Sequence, residues 1–214
     1  VPSRRHIIST DQLTPGQLVS VDNYESSVRG RLPNTRGRER EHQQYLGGTI
    51  FYDHASHRIS VHHQPSLGGS DALRSKIKYE QDCRRYGVKV QKYHTDNGIF
   101  TSDSYLRALE NERQTIEVAG VGAHHQNPYA ERAIQTVVYM ARTMLIHAKL
   151  HWPEEFDIKL WPFALDYACW IHNHLPDKQS GLCPEEIFSG TRINCTYLNR
   201  ARVWGCPAYV LHPS

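Results

Sequence analysis

The stretch that most constrains this chain runs from Pro128 to about Leu150. Ile134, Val137, Val138, Ala141, Met144, Leu145 and Ala148 recur at helical spacing and make one continuous apolar arc, so a long amphipathic helix must lie against something. Pro128 suits its first turn, where a backbone N–H needs no partner. Glu131 falls at the edge of the arc, with Gln135 and Arg142 on the same side. A carboxylate so placed is rooted in a core yet faces a cleft.

The segments upstream supply a sheet for that helix. Leu18 to Asp22 reads as a buried strand with an Asp near its end. Gly48–Asp53 and Arg58–His62 read as two more strands joined by the short polar link His54 to His57, and the three form an antiparallel meander. Ser70-Asp71 opens a helix that runs to about Tyr86 and stops at Gly87. Val88 to Thr95 is extended and ends at Asp96-Asn97-Gly98. Strand, helix, strand implies a parallel crossover, which puts Asp96 at a strand's carboxyl end, where α/β sheets place ligands. Ser102-Asp103 caps a short helix, Thr115 to Val118 is a last short strand, and Gly120-Val121-Gly122 links it to the long helix. Beyond Pro153, Phe156–His174 and Pro184–Phe188 read as helices and Val203 to Leu211 as strand-like. Residues 1–15 form a lead-in linker, 16–150 the core and 151–214 a mainly helical extension.

A chain of 214 residues that is 39% apolar can bury a core. It holds no run of 18 or more apolar residues, which argues against a membrane helix, and Val1 to Ser9 lacks the apolar centre of a secretory signal; an intracellular protein is expected. Five widely spaced cysteines with no Cys-x-x-Cys pair indicate neither a disulfide framework nor a zinc ribbon. The net charge of +3 is small, but Arg29, Arg31, Arg36, Arg38 and Arg40 crowd a segment whose one acid is Glu39. This reads as a solvated loop, and it is equally able to touch phosphates.

Asp22, Asp96 and Glu131 together would suit phosphodiester chemistry. Two divalent ions can activate an attacking oxygen and stabilise a leaving one, and Mg²⁺ prefers a few carboxylates completed by substrate phosphate. Two carboxylates about 4 Å apart repel by roughly 4 kcal/mol at an effective dielectric near 20, so such a cluster without metal tends to hold a proton. The same residues also fit a structural account, with Asp96 starting an Asn-Gly turn and Glu131 a favourable first-turn charge. Spacing alone does not choose.

The wording around the acids does more. His94-Thr95-Asp96-Asn97-Gly98, then His124-His125-Gln126-Asn127-Pro128-Tyr129-Ala130-Glu131-Arg132, resembles the catalytic core of retroviral and retrotransposon integrases. Thirty-four residues lie between Asp96 and Glu131, close to the spacing of the last two acids in that family's Asp, Asp, Glu triad. Ile171-His172-Asn173-His174-Leu175-Pro176 and Arg202 to Val210 are similar to the segment that follows the core in copia-type (Pseudoviridae) elements, so the likeness covers nearly the whole chain.

That resemblance implies an RNase H-like fold, a five-stranded mixed sheet flanked by helices. It implies Asp22, Asp96 and Glu131 as catalytic residues and metal ligands for two Mg²⁺ or Mn²⁺ ions, with 3′-end processing and strand transfer as the reactions. Double-stranded DNA and further copies of the chain are the implied partners. The expected location is the nucleus, reached through a cytoplasmic particle. Arg132, Gln135 and Lys92 are candidate phosphate contacts; Asn127 is a helix cap whose side chain could also reach DNA, and His124-His125 lie near it. Departures are Pro128 where the family has Gly, a long arginine-rich insertion, and a loose match around Asp22, to which Asp53 is a rival. The preceding His/Cys zinc domain is not in the sequence, so a fragment of a polyprotein is expected. A degenerate DNA-binding or assembly module, and a nuclease that cuts without joining, are the competing functions. His172, His174 and Cys183 offer only a weak metal set, lacking a fourth ligand at suitable spacing.

Overall fold

The computed structural model describes residues 13–35, 38–96, 98–119, 127–178, 180–193, 198–199 and 201–208. Asn97, Gly120 to Gly122, His124 to Gln126, Arg36, Cys195, most of the lead-in linker and the last part of the expected Val203–Leu211 strand lie outside them.

Five strands, β1 (Val19–Gly30), β2 (Tyr45–Asp53), β3 (Ile59–Gln64), β4 (Lys92–Thr95) and β5 (Thr115–Val118), form one sheet in the order β3-β2-β1-β4-β5. The meander β1-β2-β3 is antiparallel, while β4 runs parallel to β1 and β5 parallel to β4. Helices α1 (Gly69–Arg85) and α2 (Asp103–Asn111) make the two crossovers. After β5 come α3 (Pro128–His151), α4 (Trp161–His174) and α5 (Pro184–Ser189).

The first strand is longer than its apolar pattern suggested. It continues past Asp22 to Gly30, so Asp22 sits within the strand and Arg29 is not in a loop. Backbone pairing with β2 runs to Glu25↔Gly47 and resumes at Gly30↔Tyr45 past a register shift, and with little side-chain burial in this half its Glu, Ser and Arg residues hid it. Gly47 and Gly48 permit the close pass: a Cβ there would lie 2.1 Å from the Tyr24 carbonyl oxygen and 2.3 Å from that of His62. At the far end Trp161 Nε1 donates to the Val28 carbonyl at 2.8 Å. The Arg29 guanidinium donates to the carbonyls of Gln44 and Pro65.

Alternation along the strands builds two cores. Val19, Val21, Phe51 and Tyr93 face Ala72, Tyr79 and Cys83 of α1 and Tyr105 and Leu109 of α2. Within this layer Lys76 is buried, its Nζ 2.7 Å from Glu80 Oε1, which also accepts from Tyr93 Oη and Gln114 Nε2. On the opposite face Tyr24, Ile50 and Ile59 meet α3 and α4. The buried line of α3 is Ala130, Ala133, Val137, Ala141 and Ala148; Val138, expected inside, is 37% exposed. Small alanines let α4 approach closely, and the larger Ile134, Met144 and Leu145 pack at the margin.

The C-terminal part serves both faces: α4 packs on the second, while Phe188 of α5 joins the first core. The helix expected from Phe156 begins only at Trp161, after a single 3-10 turn over Ile158–Leu160 capped by the Asp157 carboxylate. Asn173 on α4 accepts from the Ile59 N–H at 2.9 Å and donates to the Ile59 carbonyl at 2.7 Å. Arg58 lies over the rings of Tyr86 and Phe188 and donates to Glu185 at 2.7 Å, tying α5 to the sheet. Residues 203–208 form a turn, not a strand: Cys206 N–H donates to the Val203 carbonyl. Cys83, Cys169, Cys183 and Cys206 are free. Among the described residues no helix is long and apolar enough to cross a membrane.

Candidate active site

Strand parity assigns the three acids to one face. Val19 and Val21 point to α1, so Ser20, Asp22 and Tyr24 point to α3; Tyr93 and Thr95 point to α1, so His94 and Asp96 point to α3. The β1–β4 ladder ends at Val21↔Thr95, and one further residue along that register sets Asp22 beside Asp96. Glu131 arrives in the first turn of α3, which covers the same face. Asp22 and Glu131 are half-buried and Asp96 is exposed.

Asp22 feels the charge of the other two acids. Burial pushes the Asp22 carboxyl from 3.8 up to about 6, Asn23 N–H donating at 2.7 Å opposes this, and the charges of Asp96 and Glu131 raise it further. Asp22 therefore holds the cluster's proton over much of the mildly acidic range. All-oxygen donors in mutual repulsion are the set a hard divalent cation satisfies. Among the described residues no three such side chains stand in a ligating arrangement, so the acids share a field without forming a closed shell. By donor type and charge they fit Mg²⁺ or Mn²⁺.

The other candidates fall into distinct places. Arg132 and Gln135 are exposed on α3 beside Glu131. Lys92 shares the face of Asp96 but is paired with Glu117 at 2.7 Å. Asn127 is 2% exposed and makes no side-chain cap; its Nδ2 donates to the Val21 carbonyl at 2.9 Å, so in this arrangement it reaches neither the helix N–H groups nor solvent. Asp53 is fully buried and accepts from Gly16 N–H, Ser56 N–H and Ser56 Oγ, which makes it a turn anchor away from the cleft. His172 Nε2 and His174 Nδ1 contact backbone carbonyls of His57 and Trp170, consistent with their weak standing as ligands.

Two neighbours went unread in the sequence. Ser20 Oγ lies 2.8 Å from His54 Nε2, and burial pushes His54 down to about 4, so the ring is neutral near pH 7. Tyr129 stacks on Tyr52 at 5.9 Å and lies 4.4 Å from His54. This packed wall anchors the start of α3 against β2. The available signal was Ser20 itself, a polar residue two positions before Asp22 and hence on its face.

Neither a family model nor a curated protein matches the chain. Solved structures do. A chain of the simian T-cell lymphotropic virus intasome, in complex with PP2A regulatory subunit B56 gamma, superposes with a TM-score of 0.60 at 17% identity, over 85% of this chain and 57% of that one. The present chain thus spans little more than half of that neighbour. The fold is that of the retroviral integrase core. The HTLV-2 integrase catalytic core domain in complex with magnesium gives 0.56 at 17% identity, covering 82% of this chain and 98% of that domain. The BIV integrase catalytic core gives 0.55 at 16%, covering 81% and 93%. At such identities what is shared is the RNase H-like architecture, a five-stranded mixed sheet flanked by helices with a helical C-terminal part.

Proposed function

We propose that this chain is the catalytic core of a copia-type retrotransposon integrase that processes the 3′ ends of element DNA and joins them to target DNA. The observation that carries the reading is the convergence of Asp22 and Asp96, neighbours one residue beyond the Val21↔Thr95 pair, with Glu131 in the first turn of the helix laid on the same face. Structural alignment with retroviral cores, one of them a magnesium complex, supports it.

In the first reaction a water oxygen attacks phosphorus and the 3′ oxygen departs as a hydroxyl; in the second that 3′ oxygen attacks a target phosphate and displaces another. When bound, a pair of Mg²⁺ or Mn²⁺ ions would activate the attacking oxygen and stabilise the leaving one. Asp22 and Asp96 would share the ions from the sheet, and Glu131 would complete the site and help orient the nucleophile. Arg132 and Gln135 would meet phosphates, which position DNA without reading its sequence. Lys92 would do so only by exchanging Glu117 for phosphate. Residues 16–150 would form the catalytic unit and 151–214 its buttress. The work would be done by an oligomer on nuclear DNA; the HTLV-2 core itself is known in dimeric and trimeric forms.

The test is Mn²⁺-dependent strand transfer with D96A and E131A, each checked for folding by circular dichroism. Both variants should lose at least about 100-fold in rate, the scale of removing a group that stabilises transition-state charge. Retained activity in either overturns the assignment. A second reading, a degenerate DNA-binding or assembly module, is favoured by the absence of a ligating trio among the described residues. A wild-type protein that binds DNA but gives no Mn²⁺ isotherm would select it. Cleavage without any joined product would select a nuclease.

A further inference from the structure

Asn127 immediately precedes the helix that carries Glu131 one turn further on, yet its side chain makes no bond to that helix. Asn at a helix start ordinarily accepts from an N–H of the first turn. Here it makes no such bond. Its Nδ2 instead donates at 2.9 Å to the Val21 carbonyl, the carbonyl whose peptide bond carries the nitrogen of Asp22. Its own backbone carbonyl accepts from the Glu131 N–H at 3.1 Å. One residue therefore connects the peptide of the first acid to the peptide of the third, across a sequence separation of 106 between Val21 and Asn127.

The arrangement carries a cost. Asn127 is 2% exposed, and its Oδ1 is buried with no partner among the described residues. A buried amide oxygen without a donor is unfavourable. The Val21 bond is kept at the expense of the cap.

We infer that Asn127 is a positioning residue, which sets the separation of Glu131 from Asp22 by clamping the start of α3 to β1. This rests on the proposed metal-dependent function for its consequence, but the clamp itself does not. It differs from a DNA contact, because the side chain is closed off from solvent, and from a cap, because the helix gains no bond from it.

Serine separates these roles, since it caps a helix about as well as asparagine but is too short to hold the Val21 carbonyl. N127S, with N127A as a second variant should the first not fold, is compared with wild type in three measurements. Amide hydrogen exchange on the metal-free protein should accelerate at Asp22 and at Glu131 while α1 is unchanged; unchanged exchange at both overturns the clamp. Calorimetric Mn²⁺ titration should weaken by ~10-fold or more and strand-transfer kcat should fall by ~10–100-fold, as for groups that orient metal ligands, with KM for DNA within about twofold. Raised KM with Mn²⁺ binding intact would instead make Asn127 a DNA contact. If D96A leaves the wild-type Mn²⁺ isotherm unmoved, the metal reading fails and its consequence for Asn127 with it, while the exchange data still decide the clamp.

Discussion

Replacing Asp22 by Asn should stabilise the protein while abolishing its chemistry. The Asn side-chain oxygen still accepts from the Asn23 N–H, as Asp22 Oδ1 does at 2.7 Å, so the change removes charge and little else. The carboxyl titrates at about 6 in the fold against an ordinary 3.8, which at ~1.4 kcal/mol per pKa step bounds the burden of the ionised form at about 3 kcal/mol. Partial solvent screening lowers the working figure to about 2 kcal/mol. The sign follows from proton binding: between the two values the folded state holds more protons than the unfolded one, so stability is greatest below about 4 and is lost as pH rises through about 6. D22N should therefore melt ~4–8 °C above wild type at pH 8 in EDTA, on the scale of ~2–4 °C per kcal/mol for a chain of this size. At pH 4 the two should melt together, and Mn²⁺ at pH 8 should narrow the gap by stabilising only the wild type. Equal melting at pH 8, or a gain that persists at pH 4, would refute the account of Asp22.

Three further outcomes follow from other contacts. D53A should lose ~2–3 kcal/mol in urea denaturation by stranding three buried donors, yet keep strand-transfer activity per folded molecule; loss of activity would return Asp53 to the site. K76A should lose about 3 kcal/mol, the lower end for breaking a buried pair, because Glu80 loses its 2.7 Å partner and keeps only the half-exposed Arg84 at 3.8 Å, and K76M with E80Q should recover most of it. G48A should lose ~1–3 kcal/mol by overpacking, read as a lowered melting temperature, since its Cβ would press on the His62 carbonyl at 2.3 Å.

Much of the fold was legible because most elements are marked by side-chain pattern. β5 appears over the residues expected, Thr115–Val118, and α3 opens at Pro128 as a first-turn proline requires. What stayed hidden depends on backbone or on distant partners. The second half of β1 has no apolar alternation to show, only the gap that Gly47 and Gly48 leave for it. Val138 was placed in the core by its position on the helical arc, but the buried line of α3 runs through its alanines and Val137 and leaves that valine outward. At the candidate site, wording and spacing nominated Asp22, Asp96 and Glu131, and strand parity puts the two aspartates on the face that α3 covers. It could not supply the bond from Asn127 to Val21, which exists only once β1 and α3 are in place.

The pairing of Asn173 with Ile59 bears on how copies of the chain can meet. β3 is one margin of the sheet, and an open margin is a template for a strand from another molecule. Asn173 occupies the N–H and the carbonyl of Ile59 at that margin, with α4 laid against the strand. The other margin is β5, four residues long and braced by Lys92 and Glu117. At Ile59, continuation of the sheet from molecule to molecule is disfavoured by the same asparagine that fastens α4.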